Sequence, residues 1–498
     1  MKQLSYQPFM KIGGIVLLLI VTFPLLAQES VYQHFEVDSV AQPRGGLPFL
    51  NMFIQANLRK PVPEQATGKA VRTTVTGIVE ADGRITSVTA IPSASPDMDK
   101  EAVRVFSLFN AWQPAQKNGV AVRQSVTFPV LFKANDPFVY RDGIKIEYFD
   151  AYRNPVPEGN DQIRYKQLTP MTADGIPTGD MILYGKSKGA FEALTRIPFV
   201  RKAEKNETGP DSIVYVGYQT ANRTWYGPQY ILKQDGDRLR YANYKDGHPT
   251  GQTTTYYSNG AVQHAGEPNK ETQSVLTWYT NGQLKQVWTS SKTDSPTEVM
   301  PVKLDAFWSE DGKKLVDNGN GSAYYEYQVQ SLKDPAQIVT FREEGRYEKG
   351  QKQGRWISRY SDDSYYVDET FSKGTLKLGR AKQFGEDTLT YTAVAQVPTF
   401  ESGPADLRAF LWKTAQYPAD ARQDRAEGEV FVSFVVCEDG TLCNYEVTKS
   451  VHPALDQEAL RVVKATSGHW KPATRHGKKV RTGFSLPIEF FYVTKRFN

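Results

Sequence analysis

Two stretches at opposite ends of this chain are spaced alike, and that constrains its fold more than any other feature. Pro61 to Asp82 and Pro418 to Asp439 are both 21 residues apart. Asp82 to Asp99 and Asp439 to Asp456 are both 17 apart, and Pro114 to Pro129 and Pro472 to Pro487 are both 15. One residue is inserted between the last two blocks. Register kept over about 70 residues marks a duplicated structural unit. In the second copy an apolar helical pattern (Leu407, Phe410, Leu411) ends in Tyr417-Pro418. Alternation from Glu429 to Val436 then turns at Asp439-Gly440 into Leu442 to Val447, a strong hairpin signal. Pro453 to Val463 reads as a helix, with proline and carboxylates suiting its first turn. Trp470-Lys-Pro472, a turn at His476-Gly477 and a last strand from Val480 to Phe490 complete it. The first copy repeats this: Phe49, Leu50, Phe53 and Ile54 lead to Lys60-Pro61, then Val71 to Val79, Asp82-Gly83, Ile85 to Ile91, a helix opening at Met98, and Val120 to Phe132.

Helix, hairpin, helix, strand is a complete small unit with one sheet face covered. The second copy resembles the TonB C-terminal domain. The matching marks are Tyr417-Pro418, Ala421, Gly428, Phe434, Asp439-Gly440, Leu455-Asp456, Glu458-Ala459-Leu460, Trp470 with Pro472, Gly477-Lys478, and Leu486-Pro487-Ile488 with Phe490. The first copy has Lys60 where Tyr417 stands and no glycine matching Gly428, which puts its binding competence in doubt before its fold. The expected class is α+β, with two small TonB-C-like domains (47–133 and 400–492) flanking a β-rich hairpin-repeat region (136–390).

That middle region repeats an aromatic, two or three polar residues, then glycine: Tyr140 to Gly143, Tyr244 to Gly247, Tyr257 to Gly260, Tyr279 to Gly282, Trp308 to Gly312, Tyr347 to Gly350 and Phe371 to Gly374. Asn-Gly and Asp-Gly accept positive φ, so these are hairpin turns. Hairpins that bury no face alone must stack on neighbours. The stretch is similar to MORN-type and related antitoxin-like repeats, as an irregular meander. Ser187 to Arg201 reads as helix, and Lys202 to Pro210 as loop.

Lys2 and Lys11 precede an apolar run, Ile12 to Leu26, that closes on Leu25-Leu-Ala27. Residues 1–27 read as a secretory signal and 28–46 as a lead-in. The implied location is the periplasm, or the inner membrane facing it should the segment be retained as an anchor. A retained segment is the one route to membrane association. The formal net charge of +5 is too small over 498 residues to argue nucleic-acid binding. The basic excess is local: from Arg461 onward nine Lys/Arg stand against one acid, Glu489, and suit a solvated face, acidic peptides or anionic headgroups. The two cysteines, Cys437 and Cys443, flank the Asp439-Gly440 turn, so a cross-hairpin disulfide and two free thiols are both open.

No catalytic constellation emerges. None of the six histidines makes H-E-x-x-H spacing. Gly185-Lys186-Ser187 has its leading glycine, Gly179, one residue too far for a phosphate loop, and Asp317 to Gly321 lacks the oxygen ligands of a calcium loop. Asp99/Glu101 and Asp456/Glu458 sit in helix first turns, where capping explains them. No enzyme activity, metal or cofactor is expected. The TonB resemblance implies strand addition: Val480 to Phe490 would grip an extended segment, with Tyr417, Arg481, Phe484, Leu486 and Ile488 at the contact. The implied partners are outer-membrane TonB-dependent transporters or other envelope proteins, in support of energy-dependent transport. A cell-envelope scaffold without energy transduction is the alternative, and an enzyme with its site in the middle region a remote one. The family's energy transducers carry a membrane helix with contacts to a proton-driven motor, then a Pro/Lys-rich spacer; neither is read here.

Overall fold

The computed structural model describes residues 30–93, 95–205, 212–245, 247–268, 272–291 and 302–491. Strand accounts for 53% of it and helix for 13%, which overturns the α+β class. The six helices are short and confined to the two ends, while one antiparallel sheet of sixteen strands runs from Phe199–Lys205 to Leu389–Tyr391. Every strand in it pairs with its neighbours in sequence, so the sheet is a pure meander. The physical reason for the correction is length: the duplicated ends fixed the expected class, yet hairpin chemistry governs most of the chain. A smaller sheet (Val139–Arg141 to Ala190–Ile197) precedes it, and Pro198 separates the two. The stretch read as helix is instead paired strand, Ala190–Ile197 and Phe199–Lys205, as are the first residues of that read as loop, whose residues 206–210 lie outside the described residues. Gly185 to Ser187 lies within strand Met181–Ser187.

The recurring aromatic of the turns has a chemical use. Tyr257 donates its hydroxyl to the Trp278 carbonyl at 2.7 Å, and Tyr279 donates to that of Trp308 at 2.9 Å. Asn259 and Asn281 reach the carbonyls of Thr280 and Glu310 in the same sense. Each turn is thus fastened to the next one on that end of the sheet. Strand glycines make room for rings: a Cβ on Gly345 would lie 2.2 Å from Trp356 and one on Gly379 2.3 Å from Tyr391, each the residue paired across.

The two end modules repeat one another to the level of single hydrogen bonds. Glu101 accepts the Arg59 N–H at 2.5 Å, as Glu458 accepts that of Gln416 at 2.6 Å. Arg104 pairs with Glu101 and donates to the Asn57 carbonyl at 2.7 Å; Arg461 pairs with Glu458 and donates to that of Thr414 at 2.7 Å. Asp99 and Asp456 accept the N–H groups of Ser93 and Val451 in the loops ahead of their helices. Gly83 and Gly440, at φ +85° and +84°, each press against a tryptophan carbonyl, Trp112 and Trp470, where a Cβ would sit 2.4 and 2.3 Å from the oxygen. The glutamates therefore tie helix to helix rather than cap.

Their settings differ. In the N-module, helix Gly46–Asn57 lays Leu50, Phe53 and Ile54 into one core with Ala261, Val262, Trp278, Leu284 and Trp308 of the large sheet. Burying such a side chain contributes roughly 1.5–3 kcal/mol. Polar bonds fix the seat: Asn57 accepts the Val262 N–H at 2.7 Å, Arg59 donates to the Gly260 carbonyl at 3.0 Å, and the Asn110 N–H to that of Asn281 at 2.7 Å. The C-module keeps a core of its own around Val432, Phe434, Leu455, Ala459 and Trp470. It meets the large sheet through the Ala473–Val480 hairpin, where Lys478 pairs with Glu386 at 2.5 Å. His476 lies there 3.4 Å from the Tyr365 hydroxyl and 3.8 Å from Glu369, which accepts the Tyr391 hydroxyl at 2.8 Å.

Candidate functional site

In the C-module the sheet order is Leu442–Lys449, Gly428–Val436, Thr482–Phe490. The last strand pairs with the central one from Thr482–Val436 to Phe490–Gly428. Along its other side no strand lies among the described residues. A row of main-chain donors and acceptors is therefore presented to solvent, the usual template for an added strand. Pro487 removes one N–H and suits an edge.

The side chains alternate. Leu486, Ile488 and Phe490 are buried; Phe484 is half-buried, tilted against Trp470 at 5.2 Å and Phe434 at 5.8 Å. Tyr417 packs edge-on to Phe490 at 6.1 Å and donates its hydroxyl to the Ala426 carbonyl. Of the five residues expected at the contact, Tyr417, Phe484, Leu486 and Ile488 thus build the module, and Arg481 alone is exposed. Sequence reasoning missed the outward set Gly483, Ser485, Pro487 and Glu489. The period of two held the signal: once Leu486 and Ile488 face the core, their neighbours must face out.

The first copy shows the same margin met at two points. Its equivalent strand, Val120–Phe132, carries Val31–Tyr32 in parallel against Arg123 and Gln124, so residues of the lead-in are built into the module. Farther along, the Gln55 side chain donates to the Leu131 carbonyl at 3.0 Å. By spacing, Gln55 and Leu131 correspond to Trp412 and Glu489. Trp412 is 79% exposed on helix Pro404–Thr414, which buries Leu407 alone. A large aromatic facing solvent at that place is a second feature that the sequence reading passed over.

Cys437 and Cys443 are both free thiols. Among the described residues no cluster of His, Cys, Asp and Glu is arranged to hold a metal, and no helix is long and apolar enough to cross a membrane. The signal reading at residues 1–27 lies outside the described residues.

A small helix-backed sheet thus occurs twice, and among the described residues no strand lies along the outer side of Thr482–Phe490. In comparison with known families, residues 61–134 and 413–491 each match the Gram-negative bacterial TonB protein C-terminal family, one match in each end module. Among solved structures, a solution structure of the Helicobacter pylori TonB C-terminal domain matches at 22% identity, over 17% of this chain and 90% of that one, with a TM-score of 0.15. A longer version of that domain matches at 26%, over 17% and 78%, with a TM-score of 0.14. No curated protein matches the chain.

Proposed function

We propose that this is an exported envelope protein whose C-module takes up an extended segment of an outer-membrane transporter, or of another envelope protein, as an added strand along Thr482–Phe490. The observation that carries the reading is the one-sided pairing of that strand. Backbone bonds supply the affinity, while the face bearing Ser485, Pro487 and Glu489, with Arg481 at one end and Trp412 at the other, supplies selectivity. The N-module serves as an anchor to the large sheet, because the two share one hydrophobic core. The family match favours the transporter over the scaffold reading, since relatives of this family generally engage outer-membrane transporters.

The test places a photo-crosslinker at Ser485 of the full-length protein in its own cells. Crosslinks to an extended segment of an outer-membrane transporter are the expected result. Crosslinks confined to peptidoglycan or to soluble envelope proteins would move the function to a scaffold, and none at all would remove the docking site.

A further inference from the structure

The open face of the C-module sheet carries a chemical feature unrelated to strand pairing. Cys437 follows the central strand and Cys443 lies in its hairpin partner, with their Sγ atoms 3.0 Å apart. Arg481, at the head of the bare strand, donates Nη2 to Cys443 Sγ at 3.3 Å. Both thiols are partly exposed.

The sister module shows what stands here otherwise. By spacing, Glu80, Thr86 and Arg123 occupy the places of Cys437, Cys443 and Arg481. Glu80 accepts from the Thr86 hydroxyl, and from Arg123 at 2.7 and 3.2 Å, with both charged side chains about one-fifth exposed. The Arg123 bond above all holds the Glu80 carboxyl below its usual range. One copy therefore gives this arginine a permanent carboxylate. The other gives it a dithiol, whose capacity for negative charge depends on oxidation state.

We propose that Cys437 and Cys443 form a thiol–disulfide exchange site, oxidised by a small-molecule or protein disulfide, and that its closure frees Arg481 beside the bare strand. Cys443 is the attacking sulfur. Its thiol lies below the ordinary value because of the bond shared with Cys437 and then because of Arg481, while that same sharing raises Cys437. The Cys443 thiolate attacks one sulfur of the oxidant, whose S–S bond breaks and whose other half leaves as a thiolate with the electron pair. Cys437 then loses its proton to solvent and attacks Cys443 Sγ, expelling the second half. Two thiols have given up two protons and two electrons, and the oxidant disulfide has become two thiols. The closed pair has no thiolate to offer Arg481. None of this depends on what the margin binds.

The test equilibrates the full-length protein with mixtures of reduced and oxidised glutathione, quenches with acid, alkylates and maps the peptides. The expected product is a monomer whose linked 437 and 443 peptides are lighter by two hydrogens. In reduced protein, Cys443 alkylates faster than Cys437; Arg481→Gln slows Cys443 several-fold near neutral pH and moves its alkylation profile to higher pH. The Arg481 guanidinium Nη–H resonance is protected when reduced and lost on oxidation. In the Cys437→Glu, Cys443→Thr double variant, which installs the other module's groups, it stays protected in both buffers. Thiols that stay alkylatable throughout, glutathione adducts that never resolve, superimposable alkylation profiles for wild type and Arg481→Gln, or an Arg481 signal unmoved by oxidation would each overturn the proposal.

Discussion

The two end modules repeat one another in several hydrogen bonds, yet one shares its core with the large sheet and the other keeps a core of its own. Three places show the contrast. Gln55 satisfies a strand carbonyl where Trp412 stands in solvent. Asn57 accepts the Val262 N–H of the large sheet at 2.7 Å, while its counterpart Thr414 closes helix Pro404–Thr414. Glu80 answers Arg123 where a dithiol answers Arg481. Duplication has kept the frame and changed what its faces meet, so the fold of either copy says little about its job. The faces say more.

That contrast can be broken experimentally, and the largest effect should come from the cores. Phe53→Ala should cost about 3–5 kcal/mol and loosen the N-module and the large sheet together, because they share one core. Phe434→Ala should cost a similar amount but leave the sheet's protection intact, since the C-module core is separate. Regional hydrogen exchange reads both, and equal spread of the two effects would erase the distinction.

Next come the glycines that press on tryptophan carbonyls. Gly83→Ala and Gly440→Ala should each cost roughly 2–3 kcal/mol from the left-handed backbone and the close contact, and by equal amounts in the two modules. Denaturant melts followed through each module check this. A free substitution at either site would argue that the modules are not built alike.

A smaller effect is expected at the margin. Trp412→Ala should weaken binding of whichever segment crosslinks to Ser485 about tenfold, near 1.4 kcal/mol, while Gln55→Ala should leave that affinity unchanged. Fluorescence anisotropy with the labelled segment decides it, and reversed sensitivities would transfer the docking role to the N-module.

The smallest effect concerns pH at the C-module junction. Burial lowers the pKa of His476, partly offset by Glu369, with Arg475, Glu343 and Lys352 also acting on it and Tyr365 and Tyr391 packed beside it. The unfolded histidine, near 6.5, takes its proton first, so the junction is fully stable above that pH and weakens as pH falls toward the depressed folded value. Exchange in the 473–480 hairpin should quicken, beyond its intrinsic rate, between about pH 7.5 and 5. His476→Asn borrows Asn118 from the same left-handed position of the other copy and should flatten that response.

Much of this was legible in the chain. The doubled spacing located both modules, and aromatic-to-glycine turns announced the meander. What escaped were properties of faces rather than elements. Phe49, Leu50, Phe53 and Ile54 read like Leu407, Phe410 and Leu411, and nothing local says that the first set meets another sheet. Phe191 to Arg196 contains good helix formers and was misassigned because pairing with Met181–Ser187 overrode propensity. Leu486 and Ile488 were placed at the contact because an edge strand suggests contact residues, although its alternation turns them inward. The doubt over the first copy's binding competence rested on Lys60 and a missing glycine; the contacts of Val31–Tyr32 and Gln55 along its last strand were not foreseen.

The meander has a mechanical corollary. Because no strand in the large sheet reaches past its sequence neighbours, adding or deleting one hairpin moves its two borders by about two inter-strand spacings, roughly 9.6 Å, without redrawing the remaining pairs. Such a chain is an adjustable ruler. Evolution can lengthen or shorten the reach of its free tip in steps, while the grip at that tip stays as it is.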